Sequence, residues 1–218
     1  MKIEGKKIWF LGDSITEGCC ASPIEKCYVG LFAEFNPTAT VKNYGVGGTR
    51  IAKNKEISKE YPQWDRVFIL RAEEMEEGAD VVCVFGGTND FGHGDAPIGK
   101  FGDSDPYTFY GALKTLILLL IKKYPTAKIV FFTPLHRADI PETQAVKAPD
   151  KQPLQRYVDA IREMAEYYSL PVLDLWATSG MNPIVDEIAT NYFTDRLHPN
   201  NAGHYRLYEM VEQFIKNL

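Results

Sequence analysis

Cysteine and histidine are scarce in this chain, with four of each among 218 residues. Cys19, Cys20, Cys27 and Cys83 show no C-x-x-C or zinc-like spacing, and Cys83 lies in an apolar run where it packs as a small hydrophobe. Free thiols in a reducing compartment are the expectation. His93, His136 and His204 form no convincing metal set, so no metal is expected. Runs of Lys or Arg are missing, the net charge is −5 and the pI is near 5.5. A nucleic-acid partner therefore lacks its electrostatic footprint. The longest apolar stretch, Leu116 to Ile121, is too short to cross a bilayer. The N-terminus has basic residues but no apolar signal core, so the chain as given reads as cytoplasmic, without a membrane partner. The glycine-rich segments hold neither a P-loop nor a G-x-G-x-x-G fingerprint on the first strand, which disfavours a nucleotide site. Linkers, internal repeats and low-complexity tracts are also missing, so residues 1–218 are expected to form a single domain.

Against these absences stand five short apolar runs separated by helical material: Lys7–Leu11, Thr40–Tyr44, Asp80–Phe85, Lys128–Phe132 and Pro171–Leu175. The third and fourth are almost continuously apolar, as strands covered on both faces are. Helices are expected over Val29–Phe35, Arg66–Glu77, Tyr107–Tyr124, Leu154–Tyr168 and Ala202–Asn217. The last carries Leu207, Met210, Val211, Phe214 and Ile215 at helical spacing. Alternating elements of this length imply an α/β fold, a parallel sheet with helices on both faces. All strand C-termini then share one edge, where such sheets place their ligands.

Polar motifs follow the strands onto that edge. Gly12-Asp13-Ser14 ends strand one, Asn43-Tyr44-Gly45-Val46-Gly47-Gly48 ends strand two, and Gly86-Gly87-Thr88-Asn89-Asp90 ends strand three. Asp195-Arg196-Leu197-His198 precedes the last helix. A strand-to-helix turn at Ser14 would expose its hydroxyl and aim backbone N–H groups at an oxyanion. Asp195 can orient the His198 ring, and the opposite ring nitrogen can take the serine proton. The Gly48 N–H and the Asn89 side-chain amide are candidate oxyanion donors. Taken singly, each motif has a structural alternative. Ser14 or Thr16 can cap a helix, Asp195 can cap the final turn, the glycines can make a turn, and Asn89 can form an Asx-turn.

The ordered set G-D-S, N-x-G-x-x-G, G-x-N-D and D-x-x-H-P resembles the SGNH hydrolases, the GDSL esterase/lipase family, over nearly the whole chain. The local text Gly12–Gly18 and Leu197-His198-Pro199-Asn200-x-x-Gly203-His204 is most similar to the bacterial acylhydrolase branch. One departure is an extra residue in the third motif. The resemblance implies a flavodoxin-like three-layer α/β/α sandwich whose five-stranded parallel sheet has strand order 2-1-3-4-5. It also implies Ser14 as nucleophile and first oxyanion donor, with Gly48 and Asn89 completing the hole. His198 would be the base and Asp195 its orienter. No G-x-S-x-G elbow surrounds Ser14, so the α/β-hydrolase fold is excluded.

The implied reaction is hydrolysis of a small-molecule acyl ester through an acyl-enzyme, with no cofactor and no metal. Two long loops, Phe91–Pro106 and Ile140–Pro153, are expected to wall the pocket. Asp13, Asp90, His93, Tyr107 and His136 are candidate substrate contacts, with Arg137 beside them. These polar and aromatic residues suit a short acyl group, acetyl above all, on a sugar or other polar alcohol. Acyl transfer to another acceptor, hydrolysis of longer acyl chains and a catalytically silent binding module are the alternatives. Oligomeric state is not encoded in any of these motifs.

Overall fold

A computed structural model describes residues 1–218. Its centre is a five-stranded sheet in the order β2-β1-β3-β4-β5, with every pair parallel. The strands are β1 (Lys7–Gly12), β2 (Thr40–Gly45), β3 (Val81–Phe85), β4 (Lys128–Phe132) and β5 (Val172–Leu173). The helices are α1 (Ser14–Glu17), α2 (Tyr28–Phe35), α3 (Phe68–Glu74), α4 (Thr88–His93), α5 (Phe109–Lys123), α6 (Leu154–Tyr167), α7 (Leu175–Thr178), α8 (Asp186–Tyr192) and α9 (Asn201–Lys216).

Alternation along the central strands divides the core. Trp9 and Leu11 of β1, Val82 and Val84 of β3, and Ile129 and Phe131 of β4 pack with α3, α5 and α6. Ile8 and Phe10, then Val81, Cys83 and Phe85, then Val130 and Phe132 pack with α2 and α9. Because successive side chains leave opposite faces of a strand, covering both faces demands apolar residues at nearly every position. That requirement produces the continuous runs of β3 and β4, and the flavodoxin-like α/β/α sandwich follows from it.

Register fixes where the chemistry emerges. Gly12 lies opposite Gly45 of β2 and Phe85 of β3, so the motifs after these strands leave the sheet at one level. The expected fifth strand, Pro171–Leu175, shortens to Val172–Leu173. The Asp174 carboxylate accepts from the Ala177 N–H and pairs with Arg162, so the chain turns into α7. The expected helix over Arg66–Glu77 is confined to Phe68–Glu74, since a 3-10 turn, Pro62–Asp65, precedes it and Met75 is extended. The other long helices agree with expectation to within two residues at each end. No helix is long and apolar enough to cross a membrane.

Candidate active site

Ser14 opens α1 immediately after β1. The Asp13 carboxylate caps that turn by accepting from the Ile15 N–H at 3.1 Å. At this first helical position the helix offers no acceptor for the Ser14 N–H. The Ser14 Oγ lies 2.9 Å from His198 Nε2, across 184 positions of sequence. On the other side of the ring, His198 Nδ1 is 2.7 Å from Asp195 Oδ2. Since Nδ1–H donates to the carboxylate, Nε2 carries the lone pair that faces the serine hydroxyl.

The Asp195–His198 turn is built to hold that geometry. Asp195 Oδ1 accepts from the Leu197 and His198 N–H groups at 3.0 and 2.6 Å. Burial by itself would raise the Asp195 pKa, but these bonds and the His198 ring outweigh it and hold the carboxyl below its usual range. Between them Arg196 adopts φ +63°, an uncommon region for a residue with a Cβ. Its guanidinium is anchored on the Pro183 carbonyl and on Asp186, and its carbonyl accepts from Ala138. A bridge between Phe193 and Pro199 closes the loop, and the Asn200 side chain caps α9 on the Ala202 and Gly203 N–H groups.

A cleft of about 570 Å³ opens over Ser14 and His198, lined also by Gly48, Asn89, Trp64 and His93. Gly48 has φ +73°, and a Cβ there would meet the Trp64 indole nitrogen at 1.8 Å, so the position is closed to side chains. Its N–H has no protein acceptor. The Asn89 amide gives one hydrogen to the Thr49 carbonyl at 3.0 Å, which leaves its second free. Glu17 braces the glycine loop by accepting from the Gly47 N–H. Two buried arginines frame the same edge. Arg71 donates to the carbonyls of Gly12, Tyr44 and Arg66 and to the Thr49 hydroxyl. Arg137 holds the Thr88 carbonyl and hydroxyl while forming a two-point pair with Asp139.

Ser14, His198, Gly48, Asn89 and His93 thus share one cleft, with Asp195 behind the His198 ring, whereas four candidate substrate contacts stand elsewhere. Asp13 and Asp90 are buried and turned inward, each carboxylate occupied by backbone N–H groups, Ile15 for Asp13 and Ile51 with Ala52 for Asp90. Burial raises their pKa values to about 6 and about 7. Tyr107 borders a separate groove with Lys53, Val67 and Leu70. His136 packs at a tilt against Trp176 and pairs with Glu142. Asp13 and Asp90 follow strands and His136 follows β4, yet the same edge also needs carboxylates and rings that tie its loops together, while Tyr107, expected in the pocket wall, lies just before α5 and away from that edge.

Sequence reasoning also missed the aromatic wall. Trp64 stacks between Tyr61 and His93, with ring centroids 4.4 and 4.3 Å apart. The only signal was a pair of aromatic residues in an otherwise polar loop, Tyr61-Pro62-Gln63-Trp64. On the far side of this wall a second, polar cleft of about 800 Å³ is lined by Arg50, Lys55, Lys59, Asp95 and Lys147 among others. Arg50 donates to His93 Nδ1 at 3.2 Å, so Nε2 carries the His93 proton. Burial and the neighbouring Arg50 lower the His93 pKa to about 4, which keeps the ring neutral. Cys19 and Cys20, unremarkable in spacing, come together with His198 as a trio of potential metal ligands.

No match is found among curated proteins. Among solved structures, a Lactobacillus plantarum protein is 31% identical over 99% of both chains, with TM-score 0.85. A lipase/acylhydrolase from Enterococcus faecalis shares the fold at 20% identity and TM-score 0.63, covering 97% of this chain and 96% of its own. An acetyl xylan esterase does so at 22% and 0.62, covering 96% and 99%. Residues 10–206 match the GDSL-like lipase/acylhydrolase family, a span running from β1 through the Asp195–His198 turn into α9. The chain belongs to that family, and it is a carboxylic ester hydrolase that works through a serine.

Proposed function

We propose that this hydrolase removes short acyl groups, acetyl above all, from a small polar alcohol such as a sugar, by way of an acyl-enzyme on Ser14. The observation that carries the reading is the relay of 2.9 Å from Ser14 to His198 and 2.7 Å from His198 to Asp195 on the floor of the cleft. In this reading the Ser14 oxygen attacks the ester carbonyl as His198 Nε2 takes its proton, and His198⁺ then protonates the departing alcohol. Water repeats the sequence to release the acid. The carbonyl oxygen, charged in the tetrahedral intermediate, is received by the N–H groups of Ser14 and Gly48 and the free hydrogen of Asn89.

The walls support the substrate class. Beside the serine the aliphatic side chains are Val46, Ile140 and Leu197, and the rest of the wall is largely aromatic, glycine or polar. The Tyr61–Trp64–His93 stack gives an apolar face flanked by hydrogen-bonding groups, the combination that a sugar ring needs. Ser14→Ala is expected to abolish turnover of p-nitrophenyl acetate while circular dichroism stays unchanged. Residual turnover at wild-type rate would remove Ser14 from the nucleophile role. Acetylated sugars and p-nitrophenyl esters of graded length test the rest, and a long-chain ester markedly better in kcat/KM than acetyl would overturn the short-acyl assignment.

A further inference from the structure

We propose that Cys19, Cys20 and His198 form a binding site for a thiophilic divalent cation, with zinc as the reference case, and that its occupation switches the hydrolase off. Adjacent residues of a regular strand point to opposite faces. Here the chain leaves α1 through Gly18 at φ +110°, and Cys20 is itself left-handed at φ +68°. These two turns flank Cys19 and bring both thiols to one side, with the sulfurs 3.7 Å apart. Tetrahedral zinc with Zn–S bonds of about 2.3 Å holds two thiolates about 3.8 Å apart. The pair therefore already has the spacing of zinc ligands. Both thiols are free and half-buried, unlike Cys27 and Cys83, which are sealed in the core.

The third ligand is the catalytic imidazole. One ligand atom from each of the three residues lies within 4.8 Å of the others. His198 Nδ1 is engaged by Asp195, so the available lone pair is that of Nε2. A sulfur and a nitrogen on tetrahedral zinc stand about 3.6 Å apart, so a pair at the 4.8 Å limit would have to close by about 1 Å. Asp195 would then act as the carboxylate that orients a metal-bound histidine. The sulfur turn is held from behind by His204. The Tyr28 N–H donates to His204 Nδ1 at 3.3 Å, so Nε2 carries the proton and donates to the Cys19 carbonyl at 3.2 Å. Glu17 borders the same cleft and adds negative charge.

On binding, each thiol releases its proton to solvent, and two thiolates with one neutral imidazole neutralise the cation. The Nε2 lone pair that would accept the Ser14 proton is then committed to the metal, so hydrolysis stops. The inhibition, unlike the binding, rests on His198 being the general base.

The experiment uses the full chain, stripped of metal and kept reduced with a phosphine that does not chelate. Zinc is titrated against p-nitrophenyl acetate hydrolysis, and cobalt is titrated in parallel against thiolate-to-cobalt absorption. Activity is expected to fall at one zinc per chain and to return on adding a chelator, with the thiolate band saturating at one cobalt. Cys20→Ser should keep its basal activity and need at least about tenfold more zinc for half-inhibition. Ser14→Ala, inactive if the serine reading holds, should give the same cobalt band. That result separates failure of the metal site from failure of the nucleophile assignment. Absence of the thiolate band, or half-inhibition of Cys20→Ser at the wild-type zinc concentration, would overturn the proposal.

Discussion

Asp195 shows how much one side chain settles. Its carboxylate uses one oxygen to hold the turn through the Leu197 and His198 N–H groups and the other to fix the His198 tautomer. Asn at this position can keep the first function, since its amide oxygen still accepts from the backbone. Its NH₂, however, would face Nδ1 and force the ring to accept there, which moves the proton to Nε2. A protonated Nε2 cannot take the Ser14 proton. Asp195→Asn is therefore expected to fold normally and to lose on the order of 10³- to 10⁴-fold in kcat, with little change in KM. Steady-state kinetics on p-nitrophenyl acetate would reveal it, and a loss below tenfold would mean that something other than Asp195 sets the tautomer. Gly48 carries a different kind of constraint. Its positive φ and the Trp64 ring against its absent Cβ make glycine the residue that lets the loop pass this close to the serine.

Elements were easier to read than their attachments. The five strands and the helices α2, α3, α5, α6 and α9 announce themselves by apolar runs, helical stripes and Pro-marked ends, because those patterns are local. Helices α1, α4, α7 and α8 do not, since none is long enough to show a periodic face and only α1 and α7 carry a side-chain N-cap. Arg71 is hidden too. In the sequence it is one charge on a helix, yet in the fold it is 3% exposed and binds the ends of β1 and β2 to the loop before α3. Nothing local signals a partner 59 positions away, as Gly12 is. Burial lowers its pKa to about 10, with Asp13 opposing that shift, so the guanidinium stays charged at neutral pH. Lysine cannot reproduce this fork of four acceptors. Arg71→Lys should cost about 2–4 kcal/mol by chemical denaturation, since buried carbonyls lose their donors. It should also lower kcat more than it raises KM, because the Gly12 and Thr49 contacts lie beside the serine and the oxyanion donors.

At the scale of the molecule, the order of motifs was enough to foresee one edge gathering Ser14, Gly48, Asn89 and the Asp195–His198 turn. A parallel sheet gives its strand ends nowhere else to go. The balance of buried titrating groups could not be foreseen, since it depends on which side chains the assembled layers enclose. Burial lowers His204 and His93 from 6.5 to about 4 and raises Asp13 and Asp90 from 3.8 to about 6 and about 7. The two pairs oppose each other. A histidine with a depressed pKa leaves stability intact above pH 6.5 and lowers it as the pH falls towards 4, because the unfolded chain binds the proton first. A carboxyl with a raised pKa does the reverse, adding stability as the pH falls through 7 towards 3.8. Between about pH 4 and 7 the wild-type chain should therefore have a shallow stability profile from these four groups, with each pair offsetting the other. Removing one member exposes its partner's slope. In His204→Gln, denaturant melts at pH 7 and pH 4 should show the variant gaining about 3 kcal/mol on the wild type as the pH falls. Asp90→Asn should lose ground over the same interval. Parallel pH profiles for wild type and His204→Gln would mean that the His204 ring is protonated in the folded state as readily as in the unfolded one. The clamp it places on the Cys19 carbonyl would then have to be carried by an imidazolium that can no longer accept from Tyr28.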